Sequence, residues 1–100
     1  MEKRTPHCKL TAVKALVEAN KVRATASAFA GARSLGIDDL DGICAVLLAL
    51  EPRHFYKSMT THADHRIWQD VYYASTQAGD GVYIKLTVIE DVLIVSFKEL

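Results

Sequence analysis

One hundred residues bound the chain to one domain, residues 1–100, and with half of them apolar it can bury a core without disulfide or metal staples. Twelve basic side chains balance twelve acidic ones, which argues against a protein that coats nucleic acid through bulk charge. No apolar stretch follows the charged residues 1–9 as a signal peptide requires, the longest apolar run (Ile43–Leu50) is too short to span a membrane, and Cys8 and Cys44 form no C-x-x-C, so the composition predicts a reduced, cytoplasmic protein.

Along the chain, residues 1–23 carry Lys3, Arg4, Lys9, Lys14, Lys21 and Arg23 against Glu2 and Glu18. That basic quarter has two readings: one lobe of an anion-binding surface, or the solvated face of a helix. Leu10, Val13, Leu16 and Val17 recur at helical spacing and predict a first helix, with Thr11 as a candidate cap. Ala-rich Thr25–Leu35 predicts a second, with Ala28, Phe29, Ala32 and Leu35 on one face and Gly36 placed to stop it. Asp38 and Asp39 can cap a third, whose apolar stripe is Leu40, Ile43, Leu47 and Leu50; Pro52 ends it or opens one short turn. The second half predicts strands over Phe55–Thr60, Ile67–Ser75, Val82–Ile89 and Val92–Lys98. Between them lie a polar loop at His62–Arg66, a Gly79-Asp80-Gly81 turn and a tight Glu90-Asp91 connection. Helices first and a meander of strands second is an α+β pattern, with N-terminal helices packed on a mainly antiparallel sheet.

The stretch Phe55–Tyr73 bears most on function. It holds Tyr56, Lys57, Trp68, Gln69, Tyr72 and Tyr73, where a strand that only filled a core would use Val, Ile and Leu. Apolar bodies with polar tips suit a surface that holds a polyanion with bases attached. There is no nucleophile elbow and no phosphate-binding glycine loop. Asp64, Asp70, Asp80, Glu90 and Asp91 fall where turns are expected, as caps and solubilising charges. His62-x-x-His65 with Asp64 is the one metal-like spacing. It is either a solvated loop or the start of a zinc site completed by His7, His54 or Cys8. Strand parity groups Lys57 with Phe55 and Met59, Gln69 with Ile67 and Val71, and Tyr83 with Lys85, and it opposes Lys98 to Phe97. One sheet face could gather Lys57, Gln69, Tyr83 and Lys98. They could equally be ordinary exposed strand residues.

The blocks H-F-Y-K-S-M-T-T, I-W-Q-D-V-Y and V-Y-I-K-L-T-V-I-x-D-V-L-I-V-S-F-K-E, with the opening M-E-K-R-T-P-H and a D-G-I-C segment, closely resemble the MqsR family of toxins nearly end to end. The resemblance implies a RelE-like bacterial RNase fold and a metal-independent, cofactor-free endoribonuclease that cuts mRNA, preferentially at GC-containing triplets such as GCU. It also implies a cognate antitoxin with a zinc-binding N-terminal and a helix-turn-helix C-terminal domain, and action of the pair on its own operator DNA. By position, the family's catalytic residues fall on Lys57, Gln69 and Tyr83. Its RNA-binding residues fall on Tyr56 and, less centrally, Met59, Lys98 and His7. Tyr73 and Glu90 stand where a basic residue and a histidine are common in the family, so both remove positive charge near the expected RNA path. A noncatalytic module that binds only the antitoxin, or operator DNA through it, is the alternative.

Overall fold

The computed structural model describes residues 1–100. Its elements in chain order are β1 (Glu2–Lys3), α1 (Leu10–Glu18), β2 (Val22–Ala24), α2 (Ala26–Ser34), α3 (Leu40–Leu48), a 3-10 turn (Pro52–His54), β3 (Phe55–Thr60), β4 (Trp68–Ser75), β5 (Gly81–Ile89) and β6 (Asp91–Glu99). The strands form one sheet in the order β1-β3-β4-β5-β6-β2. Every neighbouring pair is antiparallel except β2 and β6, which run parallel. This is the α+β arrangement the sequence implies, and it fits the RelE-like description. No helix is long and apolar enough to cross a membrane.

The helices cover one face. Val13 and Val17 of α1, Ala28 and Ala32 of α2, and Ile43, Val46 and Leu47 of α3 pack with Tyr72, Ile84, Leu86, Ile94 and Phe97 from the sheet. Thr11 does not cap α1: it lies inside the helix and is exposed, and Lys9 holds the cap position without a side-chain bond. At α2 the cap is Thr25, whose Oγ1 accepts from the Ala28 amide (3.0 Å) and donates to the Val95 carbonyl (2.9 Å). One hydroxyl thus starts the helix and ties it to β6. Gly36, at φ 79°, ends α2 in the left-handed conformation, with the Ile37 amide returning to the Ala32 carbonyl. Asp39 caps α3 by accepting from the Gly42 amide at 2.8 Å.

Two bulges set which residues face away from the helices. Phe55 pairs with Tyr72 but Lys57 pairs with Val71, so Tyr56 is an extra residue in β3. Phe55 therefore turns to the core, edge-on to Tyr72 (5.6 Å between centroids), while Lys57 and Met59 face outward. This corrects the parity reading that put Phe55 on the side of Lys57. In β6, Leu86 pairs with Ile94 and Lys85 with Ser96, so Val95 is extra. That bulge lets Ile94 and Phe97 both reach the core and leaves Lys98 on the open side.

Candidate active site

The open face is built in rows across the strands. Glu2, Met59 and Gln69 lie side by side across β1, β3 and β4. The next row is Lys57, Val71, Lys85 and Ser96, and the one beyond it is Tyr73, Tyr83 and Lys98. Val71 is fully buried although it belongs to this face and not to the helix-side core. It forms the apolar floor over which the long polar side chains lie. Strand residues of this face include the bases Lys57, Lys85, Lys98 and Arg23 against the acids Glu2 and Asp91, so a neutral chain presents one positive surface.

An aromatic ladder crosses the strands. Tyr56 and Tyr73 stack at 4.5 Å with their planes 17° apart, and Tyr73 meets Tyr83 at 5.8 Å, tilted by 44°. Cations close both ends: the Arg4 guanidinium lies 5.2 Å from the Tyr56 ring, and Lys98 Nζ lies 5.0 Å from the Tyr83 ring. The bulge puts Tyr56 beside Lys57, whose Nζ is 5.4 Å from the Tyr56 ring centre. Tyr56 and Tyr73 each keep 38% of their surface exposed.

Lys57 Nζ donates to Glu2 Oε1 at 2.6 Å. That bond raises the pKa of Lys57 above the usual lysine value and lowers that of Glu2 below the usual carboxylate value. Burial, followed by the neighbouring Tyr73, raises the pKa of the Tyr83 phenol, while the Lys57 charge acts the other way. At neutral pH the ammonium and the phenol both keep their protons. They are suited to stabilise or protonate a phosphate, not to take a proton from a substrate.

Lys57, Gln69, Tyr83, Tyr56, Met59 and Lys98 therefore share one face. His7 does not join them. It stacks on Trp68 (5.6 Å, 17°) on the helix side of the sheet, where Lys3 Nζ lies 4.3 Å from the Trp68 ring and 3.1 Å from His7 Nδ1. Asp70 is no turn residue: it sits in β4, 2% exposed, and its two carboxylate oxygens accept the His7 and Cys8 amides at 3.0 Å each. Asp64 is bound by Arg66, and no three His, Cys, Asp or Glu side chains gather as metal ligands, so His62 and His65 have no third ligand beside them. Two hollows lie away from Lys57. The larger, about 400 Å³, is between the α2–α3 loop and Ser75–Ala78, and the other lies beside Leu50, His54 and Leu100. Neither hollow is lined by Lys57, Gln69 or Tyr83, although the smaller one reaches Tyr73, and the open sheet face suits a polymer laid across it.

Three groups of this face stand outside the site residues that the sequence implies. Tyr73 was legible, since it shares the parity of Gln69 and Val71. Glu2 and Arg4 were not, because a two-residue strand leaves no periodic signal and its partner is more than fifty residues away.

Fold and face together define a class: a small RelE-like α+β domain whose uncovered sheet face carries an ammonium, a carboxamide and phenols around an apolar floor. Residues 5–99 match the family described as motility quorum-sensing regulator, toxin of MqsA. The chain is 59% identical over 99 residues to the mRNA interferase toxin MqsR of Escherichia coli (strain K12), covering 99% of each chain. The chain belongs to this toxin family.

Proposed function

We propose that this chain is an endoribonuclease, the toxin of a type II toxin–antitoxin pair, and that it cuts mRNA on the open sheet face by transesterification, without a metal or cofactor. The RNA's 2′-oxygen attacks the adjacent phosphorus, so the enzyme supplies no nucleophile, and DNA, which lacks that hydroxyl, is spared. Lys57 offsets the charge that grows on the phosphorane oxygens. Gln69 holds the phosphate in line, and Tyr83 gives its proton to the departing 5′-oxygen. The exposed rings of Tyr56 and Tyr73 stack on unpaired bases, and Met59 and Lys98 flank the strand. The single observation behind this reading is the meeting of Lys57 with the Tyr56–Tyr73–Tyr83 ladder above buried Val71.

His7, stacked on Trp68 across the sheet from Lys57, would meet RNA only where the strand runs beyond the open face. Cleavage favours GC-containing triplets such as GCU. In the cytoplasm the toxin is neutralised by a cognate antitoxin with a zinc-binding and a helix-turn-helix domain, and the pair binds its own operator. The test is to incubate the purified chain with a defined RNA in EDTA and to sequence the ends. Fragments with a 2′,3′-cyclic phosphate and a 5′-hydroxyl are expected. Intact RNA, or cleavage that EDTA abolishes, refutes the proposal; intact RNA with tight antitoxin binding would mark a noncatalytic module.

A further inference from the structure

None of Lys57, Gln69 and Tyr83 is a base under neutral conditions, yet attack by a 2′-hydroxyl needs a group that takes its proton. One carboxylate stands beside Lys57 on the open face. Pairing of β1 with β3 sets Glu2 opposite Met59, on the face that carries Lys57, and its Oε1 touches the Lys57 ammonium at 2.6 Å. Glu2 is the one carboxylate paired with Lys57. The Glu2 side chain is 52% exposed while that of Lys57 is 21% exposed. The carboxylate is open to an incoming strand, and the ammonium lies deeper.

We propose that Glu2 is the general base of the reaction, taking the 2′-hydroxyl proton while Lys57 and Tyr83 face the phosphate. This assignment rests on the transesterification reading above. In the step, the 2′-hydroxyl proton passes to a Glu2 carboxylate oxygen and the O2′–P bond forms. The P–O5′ bond breaks, and the 5′-oxygen takes the Tyr83 hydroxyl proton. The products are a 2′,3′-cyclic phosphate and a 5′-hydroxyl; Glu2 then releases a proton to solvent and Tyr83 regains one, so the enzyme is restored. Three charges face Glu2: Lys57 from β3, Arg4 just beyond β1, and the ammonium of Met1. The Lys57 bond is the largest influence keeping the carboxylate ionised in the free enzyme. A phosphate that draws the ammonium away removes that counter-charge, and the carboxylate becomes a better proton acceptor as the substrate binds.

Glu2→Gln keeps the shape and removes the base. Circular dichroism should report an unchanged fold. Its kcat should fall by about 100-fold or more, and the acid limb of the kcat–pH profile should vanish. Binding of an RNA carrying a single 2′-deoxynucleotide at the cleavage position should be unchanged or tighter. Glu2→Asp should keep the acid limb at a reduced rate. A substrate with sulfur in place of the bridging 5′-oxygen needs no proton to leave, so it should rescue Tyr83→Phe and not Glu2→Gln. Cleavage by Glu2→Gln at the parental rate or faster would overturn the proposal and leave Glu2 as a competitor of RNA for Lys57. Loss of cleavage matched by equal loss of binding would overturn it too. If the parent chain makes no cyclic-phosphate ends, the transesterification reading has failed, and that outcome is read before any variant is compared.

Discussion

Gly31→Ala tests how closely α2 is seated on the sheet. A Cβ at position 31 would stand 1.8 Å from the Phe97 carbonyl oxygen, 3.0 Å from its carbon and 3.3 Å from Lys98 Cα. All three are backbone atoms of β6, so no side chain can swing aside. Ordinary contact requires helix and strand to part by about 1.5 Å, and the Thr25 hydroxyl, bonded to the Val95 carbonyl, resists that movement at the helix start. Overpacking of this kind costs about 3 kcal/mol, and the better helix propensity of alanine returns about 1 kcal/mol. The net loss of about 2 kcal/mol should lower the midpoint of a thermal melt followed by circular dichroism by about 8–16 °C for a chain of this size. Gly36→Ala is the control. Nothing stands within 4 Å of its added Cβ, and the cost is only that of an alanine at φ 79°, about 1 kcal/mol and half the shift. A Gly31→Ala protein that melts with the parent would mean that α2 does not approach β6 as described.

Tyr73→Ala should weaken binding of an uncleavable RNA by about tenfold, as loss of one stacked base does, and Tyr73→Phe should not; a fluorescence-anisotropy titration reads both, and equal affinity for all three proteins removes the ladder from RNA binding. The Tyr72 hydroxyl is buried without a hydrogen-bond partner, so Tyr72→Phe should match or exceed the parent by about 1 kcal/mol in urea unfolding at neutral pH. Burial pushes the Tyr72 pKa up to about 12. An unfolded tyrosine ionises near 10 while this one holds its proton, so the native state binds more protons between those values and stability falls as pH rises through that window. Tyr72→Phe should lose that contribution, and an unchanged alkaline limb would contradict the burial. Asp70→Ala should cost about 3 kcal/mol by leaving the His7 and Cys8 amides unpaired. It should also reduce cleavage by loosening the segment that carries Glu2 and Arg4; a variant as stable and active as the parent would show that this anchor is dispensable.

Local signals carried much of this architecture. Hydrophobic spacing placed all three helices, and Thr25, Gly36 and Asp39 act as their chemistry dictates. The four long strands follow from alternation, within a residue at every end. The short strands escaped because their reasons are not local: β2 exists through its parallel pairing with β6, and β1 through pairing with β3. Parity grouped Lys57, Gln69, Tyr83 and Lys98 correctly, but for β3 only because the bulge at Tyr56 reverses Phe55 and leaves Lys57 outward. A bulge adds one residue without changing composition, so nothing in the alternation marks it. Asp70 was misjudged for a similar reason. Its role as a buried acceptor depends on backbone amides more than sixty residues away. The resemblance implies site residues by position, and the fold adds what lies beside them: Glu2 against Lys57, and Tyr73 between Tyr56 and Tyr83.

The most direct test of the sheet-face site is the single-turnover cleavage rate of Lys57→Ala on one defined RNA, measured beside the parent at matched folding and saturating enzyme. Lys57 is a half-buried lysine on the open face whose one ion-pair partner, Glu2, is exposed, so the variant should melt close to the parent yet cut at least about 100-fold more slowly. A folded Lys57→Ala protein that cuts at the parental rate would mean the reaction takes place elsewhere on the molecule.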